Sequence, residues 1–136
     1  MISINILAAA DAIVVPTPPS LYDFASTAQY FKMVKRVVQS VTPDKKFDFI
    51  KVMPTKVEKN KPRQMDFLDI MRDRFGLSML RSIFSSTSAI PNAASVYKTL
   101  YDLPKGERDN AAIDMLDEVF GEIEGLIRKS WEEASQ

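Results

Sequence analysis

Four apolar residues, Ala12-Ile13-Val14-Val15, run straight into Pro16-Thr17-Pro18-Pro19, and this junction limits the possible folds more than any other stretch of the chain. A β-branched run without polar alternation is the pattern of a strand covered on both faces, and the prolines stop it because they cannot donate to a ladder. Residues 12–15 therefore read as a central parallel strand. Ser20 stands where a helix cap stands, and Asp23 takes the place of the capping-box acid three residues on. Leu21, Phe24, Ala28, Phe31, Val34, Val38 and Val41 then recur at helical spacing, which predicts a helix over residues 21–41, ended by Pro43 and Asp44.

Phe47 to Met53 reads as a second strand, with Phe47, Phe49, Ile50 and Val52 as candidates for burial and Pro54 closing it. A polar loop follows from Thr55 to Lys61. Pro62 suits a first helical turn, Phe67, Ile70, Met71 and Phe75 make an apolar stripe, and Gly76 supplies the stop. Met79 to Phe84 reads as a third strand, followed by a hydroxyl-rich loop, Ser85 to Ser88, and a short helix around Ala93 to Tyr101. From Asp109 to Glu133 the residues Ala112, Met115, Leu116, Val119, Ile123, Leu126, Ile127 and Trp131 describe one long amphipathic helix. Met1 to Ala10 looks helical and enters a core strand with no partner strand before it. Strands alternating with helices predict an α/β layer with a short, mostly parallel sheet flanked by helices. Three strands make a small sheet, so the chain reads as part of a domain; residues 1–136 hold no internal repeat, low-complexity tract or linker that would divide them.

The residue inventory removes much chemistry. With no Cys and no His, thiolate nucleophiles, disulfides, Cys/His zinc sites and imidazole acid–base catalysis are excluded. The four glycines, Gly76, Gly106, Gly121 and Gly125, form no phosphate-cradling loop. Gly121 and Gly125 are four apart and point to a close helix contact. No catalytic residue and no metal site is expected. The apolar stretches fall short of a membrane span, the start lacks a basic secretory region, and the cytoplasm is the expected compartment, with no membrane partner. Eighteen basic residues balance eighteen acidic ones, but unevenly. Between Lys45 and Arg63 seven basic residues face two acids, whereas from Asp102 onward ten acids face four bases, a surface that repels nucleic acid.

The run Ala8-Ala9-Ala10-Asp11-Ala12-Ile13-Val14-Val15-Pro16-Thr17-Pro18-Pro19-Ser20-Leu21-Tyr22-Asp23-Phe24 resembles the ParA family of partition ATPases, most closely the larger plasmid type. Val52-Met53-Pro54-Thr55-Lys56 is similar to the strand end and loop near the base in that family. Ile90-Pro91-Asn92-Ala93-Ala94 and Thr99-Leu100-Tyr101-Asp102 resemble a segment ending in a Thr-hydrophobic-aromatic-acid motif. The resemblance covers essentially the whole chain but only the carboxy-terminal part of the family's domain. It implies a three-layer, partial P-loop NTPase-like (Rossmann-like) fold whose amino-terminal P-loop half is missing. ATP and magnesium are implied for the intact family protein. This chain, lacking the Walker A lysine and its amides, is expected neither to carry a cofactor nor to hydrolyse ATP alone.

Thr55 and Lys56, with Pro54, stand at the carboxyl end of a predicted parallel strand, where open α/β sheets hold ligands. By resemblance they are a wall of the adenine pocket; by residue type they equally suit a polar turn. Ser85 and Ser86, with Thr87, occupy the analogous loop, as base or ribose contacts or as caps of the next helix. Pro16-Thr17-Pro18-Pro19 resembles the loop facing dimer partner and nucleotide, and also serves as rigid punctuation. Asp23 reads as a helix cap rather than as a carboxylate paired with Asp11. Lys98 falls where the family places basic residues for non-specific DNA, and with Arg72, Arg74 and Arg81 forms a candidate DNA patch, against the plainer reading of scattered solvated charge. Two functions follow as expectations. One is a portion of a partition (DNA segregation) ATPase that dimerises around ATP, associates with the nucleoid and answers to a centromere-binding partition protein. The other is a truncated, stand-alone interaction or dimerisation module, pairing with itself or a full-length relative through an open sheet edge.

Overall fold

A computed structural model describes residues 2–136. Its elements in chain order are α1 (Ile2–Ala9), β1 (Ala12–Thr17), α2 (Leu21–Val41), β2 (Phe49–Pro54), α3 (Pro62–Phe75), α4 (Ala89–Ala94) and α5 (Asn110–Ala134). Met1, which the helical reading of the amino terminus included, lies outside the described residues.

β1 and β2 pair in parallel, from Ala12 opposite Phe49 to Thr17 opposite Pro54, with α2 as the crossover between them. The fold is thus mixed α/β, a two-stranded parallel sheet flanked by helices. Two sequence expectations need correction here. β1 is an edge strand rather than a central one, because β2 is its only partner among the described residues; Ala12, Ile13, Val14 and Val15 are accordingly half-buried. The predicted third strand, Met79 to Phe84, follows β2 without becoming one: Met79 bridges Val52 and Ser85 bridges Val57.

Hydrogen bonding explains the second correction. Leu80 N donates to Val52 O at 2.8 Å and Phe84 N donates to Pro54 O at 2.8 Å, so a step of four residues on this segment answers a step of two on β2, where a regular parallel ladder advances equally on both strands. Between them, Ser82 N turns to the Glu122 carboxylate of α5 at 2.8 Å, and Arg81 N joins it at 2.9 Å. One carboxylate thus takes two successive N–H groups, which bends the backbone out of the ladder.

α2 begins at the predicted residue because Ser20 is extended and its Oγ accepts from Asp23 N at 3.2 Å, leaving the first turn capped. The strand end before it is locked: Thr17 is fully buried, its hydroxyl donates to Val15 O at 3.3 Å, and Thr27 Oγ1 of α2 lies 2.8 Å away. α3 begins at Pro62 and stops at Gly76, whose φ of +54° disfavours any side-chain-bearing residue. Its buried stripe is offset from the predicted one, since Leu68 and Met71 are buried while Ile70 is 47% exposed. Val52, Val57, Leu68, Met71 and Met79 form one core cluster. Phe24 of α2 closes it against Phe67 and Phe75 of α3, with ring centroids 5.9 and 5.3 Å apart.

A second cluster joins Ala93 of α4, Leu100, and Ala112 and Leu116 of α5. The short helix predicted over Ala93 to Tyr101 lies earlier, at Ala89–Ala94, and its termination is unusual. Tyr97 N bonds to Ala94 O and Lys98 N to Ala93 O, a Schellman pattern that places Tyr97, at φ +58°, where glycine is normal. The Thr99–Asp102 motif then has a local structural role. Thr99 N and its hydroxyl both meet Asp102 Oδ2, at 2.9 and 2.8 Å, in a capping box around a 3-10 turn. α5 starts on Asp109, whose side chain accepts from Ala112 N at 3.0 Å. Gly121 and Gly125 do not make the predicted close contact: a Cβ at either would meet nothing within 4 Å.

Candidate functional site

The carboxyl ends of β1 and β2 open into a cavity of about 410 Å³, within the roughly 300–1,000 Å³ of small-molecule sites. Pro16 from β1 and Met53, Thr55 and Lys56 from the end of β2 form one side; Phe84, Ser85, Ser86 and Thr87, with Ile90 and Pro91 of α4, form the other. Placement follows from local backbone. Thr55 N donates to Thr17 O at 3.1 Å, carrying the β1–β2 pairing one residue past Pro54, and Lys56 at φ +52° then turns the chain. Val57 N to Phe84 O at 3.4 Å and Ser86 N to Val57 O at 2.9 Å hold the facing loop.

Of the residues expected to touch a base, Thr55, Lys56, Ser85 and Ser86 border this cavity together. Pro54 does not border it; its ring is fully buried beneath. Ser85 N donates to Met115 Sδ at 3.0 Å, and Thr87 Oγ1 accepts from Ala89 N at 3.1 Å, which makes Thr87 the local support of α4. Sequence reasoning missed the apolar wall of Met53, Phe84 and Ile90. Ile90 and Pro91 were visible only as part of a motif, and Phe84 was placed in a strand. Apolar side chains on both sides, set among hydroxyls and one ammonium, suit a planar, hydrogen-bonding ring; among the described residues no loop at this cavity offers a row of amides to phosphates.

A neighbouring hollow of about 590 Å³ shares Ser85, Ser86 and Thr87 and adds Lys59, Asp109, Asp114 and Glu118. Among the described residues no three Asp or Glu side chains gather as a metal site, and no helix is long and apolar enough to cross a membrane.

The candidate DNA residues divide. Arg72 and Arg81 border one groove of about 540 Å³, together with Lys51 of β2 and Lys129 of α5. Arg74 and Lys98 are exposed elsewhere and do not border it. Arg72 is held in place, donating to Leu80 O at 3.4 Å and Arg81 O at 3.1 Å. Glu122 is the groove's one carboxylate. Partial burial pushes its pKa up, but the Ser82 N–H and hydroxyl, the Arg81 N–H and the Arg81 charge outweigh that and hold it below the ordinary glutamate value. Tyr101, hydrogen-bonded to Asp117, titrates above an ordinary tyrosine because that bond, slight burial and the carboxylate charge all oppose phenolate. Asp102 is held low, first by the Thr99 N–H and then by the Thr99 hydroxyl.

No family model matches the chain. An alignment of 137 positions gives 25% identity with Protein SopA of Escherichia coli (strain K12), covering 96% of this chain and 35% of the relative. A second gives 26% identity with "Putative replication protein A" of Rhizobium rhizogenes, covering 96% and 34%. The chain therefore spans about a third of the length of the curated relatives it matches. The SopA similarity supports the partition-related resemblance read from the sequence.

Proposed function

We propose that this chain is a carboxy-terminal portion of a ParA-type plasmid or chromosome partition protein, and that the cavity at the strand ends is the base-side wall of its nucleotide site. The observation that carries the reading is the meeting of Thr55, Lys56, Ser85 and Ser86 around one cavity at the carboxyl ends of parallel strands, the usual ligand position in open α/β sheets. Similarity to SopA over nearly the whole chain supports it. In the intact protein ATP and magnesium bind across this wall and a phosphate-binding half outside these 136 residues. Thr55 and the Ser85–Ser86 hydroxyls hydrogen-bond the base and ribose, and Met53, Phe84 and Ile90 cover the ring face. Lys56 supplies one positive charge at the rim. The chain by itself does not hydrolyse ATP, since nothing here stabilises charge developing on a transferred phosphoryl group.

Non-specific DNA contact through the exposed Lys98 and Arg74, which lie outside the groove of Arg72 and Arg81, a centromere-binding partner and nucleoid association in the cytoplasm belong to the same proposal. Calorimetric titration of the purified chain with adenosine and with ATP tests the cavity's role. The expected result is weak binding of both, within a few-fold of each other and indifferent to magnesium, with loss on Ser85→Trp. ATP binding far tighter than adenosine and dependent on magnesium would defeat the reading, as would no binding of either.

A second reading, a stand-alone dimerisation module, draws support from the open side of β1. Asp48 N to Asp11 O and Thr55 N to Thr17 O fix the odd-numbered residues of β1 toward β2, so Ala12 and Val14 direct their peptide groups outward. Pro16 offers no N–H there, which limits an added strand to the first half of β1. Light scattering decides it: a dimer supports this second reading, and a monodisperse monomer counts against it.

A further inference from the structure

The groove between the end of α3 and the carboxy-terminal half of α5 concentrates charge that the rest of the chain balances. Lys51, Arg72, Arg81 and Lys129 border it against one carboxylate, Glu122, in a protein whose charges as a whole sum to zero. Glu122 is already committed to the N–H groups of Arg81 and Ser82 at 2.9 and 2.8 Å. Arg72 is fixed by two carbonyls and retains donors beyond those two bonds. Lys51 Nζ donates to Leu77 O, and Lys129 has only a marginal 4.0 Å contact with Glu133. Two of the four cations are thus held in position by neutral partners, with their charge uncompensated. Between them Leu77 is 87% exposed, and Leu126 adds a second apolar surface to the same groove.

We infer that this groove docks an acidic, leucine-bearing segment of a partner protein: carboxylates on the Lys51, Arg72 and Lys129 positions, an apolar side chain against Leu77 and Leu126. Electrostatic complementarity of this kind selects partners and speeds their encounter. Two observations favour a peptide over nucleic acid. A sugar-phosphate backbone has nothing to set against the two leucines. A duplex long enough to reach all the cations also brings phosphates along α5, where the chain from Asp102 onward holds ten acids against four bases. The groove is lined by other residues than the strand-end cavity, so this inference does not depend on the nucleotide reading.

Fluorescence anisotropy with a labelled peptide of repeating Glu-Glu-Leu, its Gln-Gln-Leu counterpart and a labelled DNA duplex tests it. The Glu-Glu-Leu peptide binds in a salt-dependent way, and Lys51→Glu with Lys129→Glu weakens it by roughly tenfold or more. Lys129→Glu alone, at a side chain whose one ion-pair contact is the marginal exposed one with Glu133, weakens it several-fold with little change in melting temperature, which keeps the test valid should the double variant unfold. Lys32→Glu with Lys105→Glu, the same change in charge away from the groove, has little effect. The inference is overturned if the peptide does not bind, if the two double variants weaken it equally, if the Gln-Gln-Leu peptide binds as well, or if the duplex binds at least as tightly and loses affinity in the same groove variants.

Discussion

Replacing Glu122 with alanine removes the clasp between α5 and the segment that lines the strand-end cavity. Two backbone N–H groups lose a charged acceptor. Arg81 is exposed, so water can replace its bond at small cost; Ser82 is 5% exposed, and its N–H is stranded. A hydrogen bond to a charged group contributes about 1.5–3 kcal/mol, and the solvated partner counts for less, so the expected loss is about 2–3 kcal/mol. For a chain of this size that is a fall in Tm of about 10 °C. Acidity separates this cause from lost packing. The folded-state pKa of Glu122 lies below its ordinary value of 4.5, so the carboxylate's contribution is complete above the unfolded pKa and disappears as the pH falls through the folded one. Thermal unfolding by circular dichroism at neutral pH and near pH 3 should show a large gap between wild type and Glu122→Ala that narrows in acid. A gap of the same size at both pH values, or one under about 0.5 kcal/mol at neutrality, refutes the argument.

Met71 is fully buried at the centre of the cluster beneath β2, and Met71→Ala should cost about 2–5 kcal/mol in urea unfolding; a cost below about 1 kcal/mol means that the site collapses around the hole. Tyr97→Gly should stabilise the chain by about 1 kcal/mol, because φ +58° at the end of α4 strains a tyrosine whose ring is 98% exposed; destabilisation would show that the ring makes a contact that matters. Spectrophotometric titration should find Tyr101 ionising above the ordinary tyrosine range, with Asp117→Ala, which removes both the hydrogen-bond acceptor and the charge, bringing it down.

Much of this architecture is legible where local chemistry and burial agree. β1 is announced by a β-branched run ending in proline, α2 by Ser20 and Asp23, and α3 by Pro62 and Gly76, since each signal sets a backbone angle or satisfies an orphan group by itself. The edge position of β1 could not be read from the run Ala12–Val15, because a fully apolar strand asks for cover on both faces and cannot say which neighbour supplies it. Nor could the fate of Met79–Phe84 be read, because it turns on Glu122, some forty residues away, capturing N–H groups that a third strand would have used. Thr55, Lys56, Ser85 and Ser86 could be grouped from their places after predicted strands. The part of the lining that Ile90 and Pro91 supply could not, because it depends on where α4 lies against the strand ends.

We propose that these residues carry the base side of a nucleotide site without the means to work on phosphate. Phosphate release from ATP, measured with magnesium on the purified 136-residue chain, tests it most directly. The expected rate equals the buffer background and is unchanged by Lys56→Ala; turnover above background that disappears in Lys56→Ala contradicts the proposal.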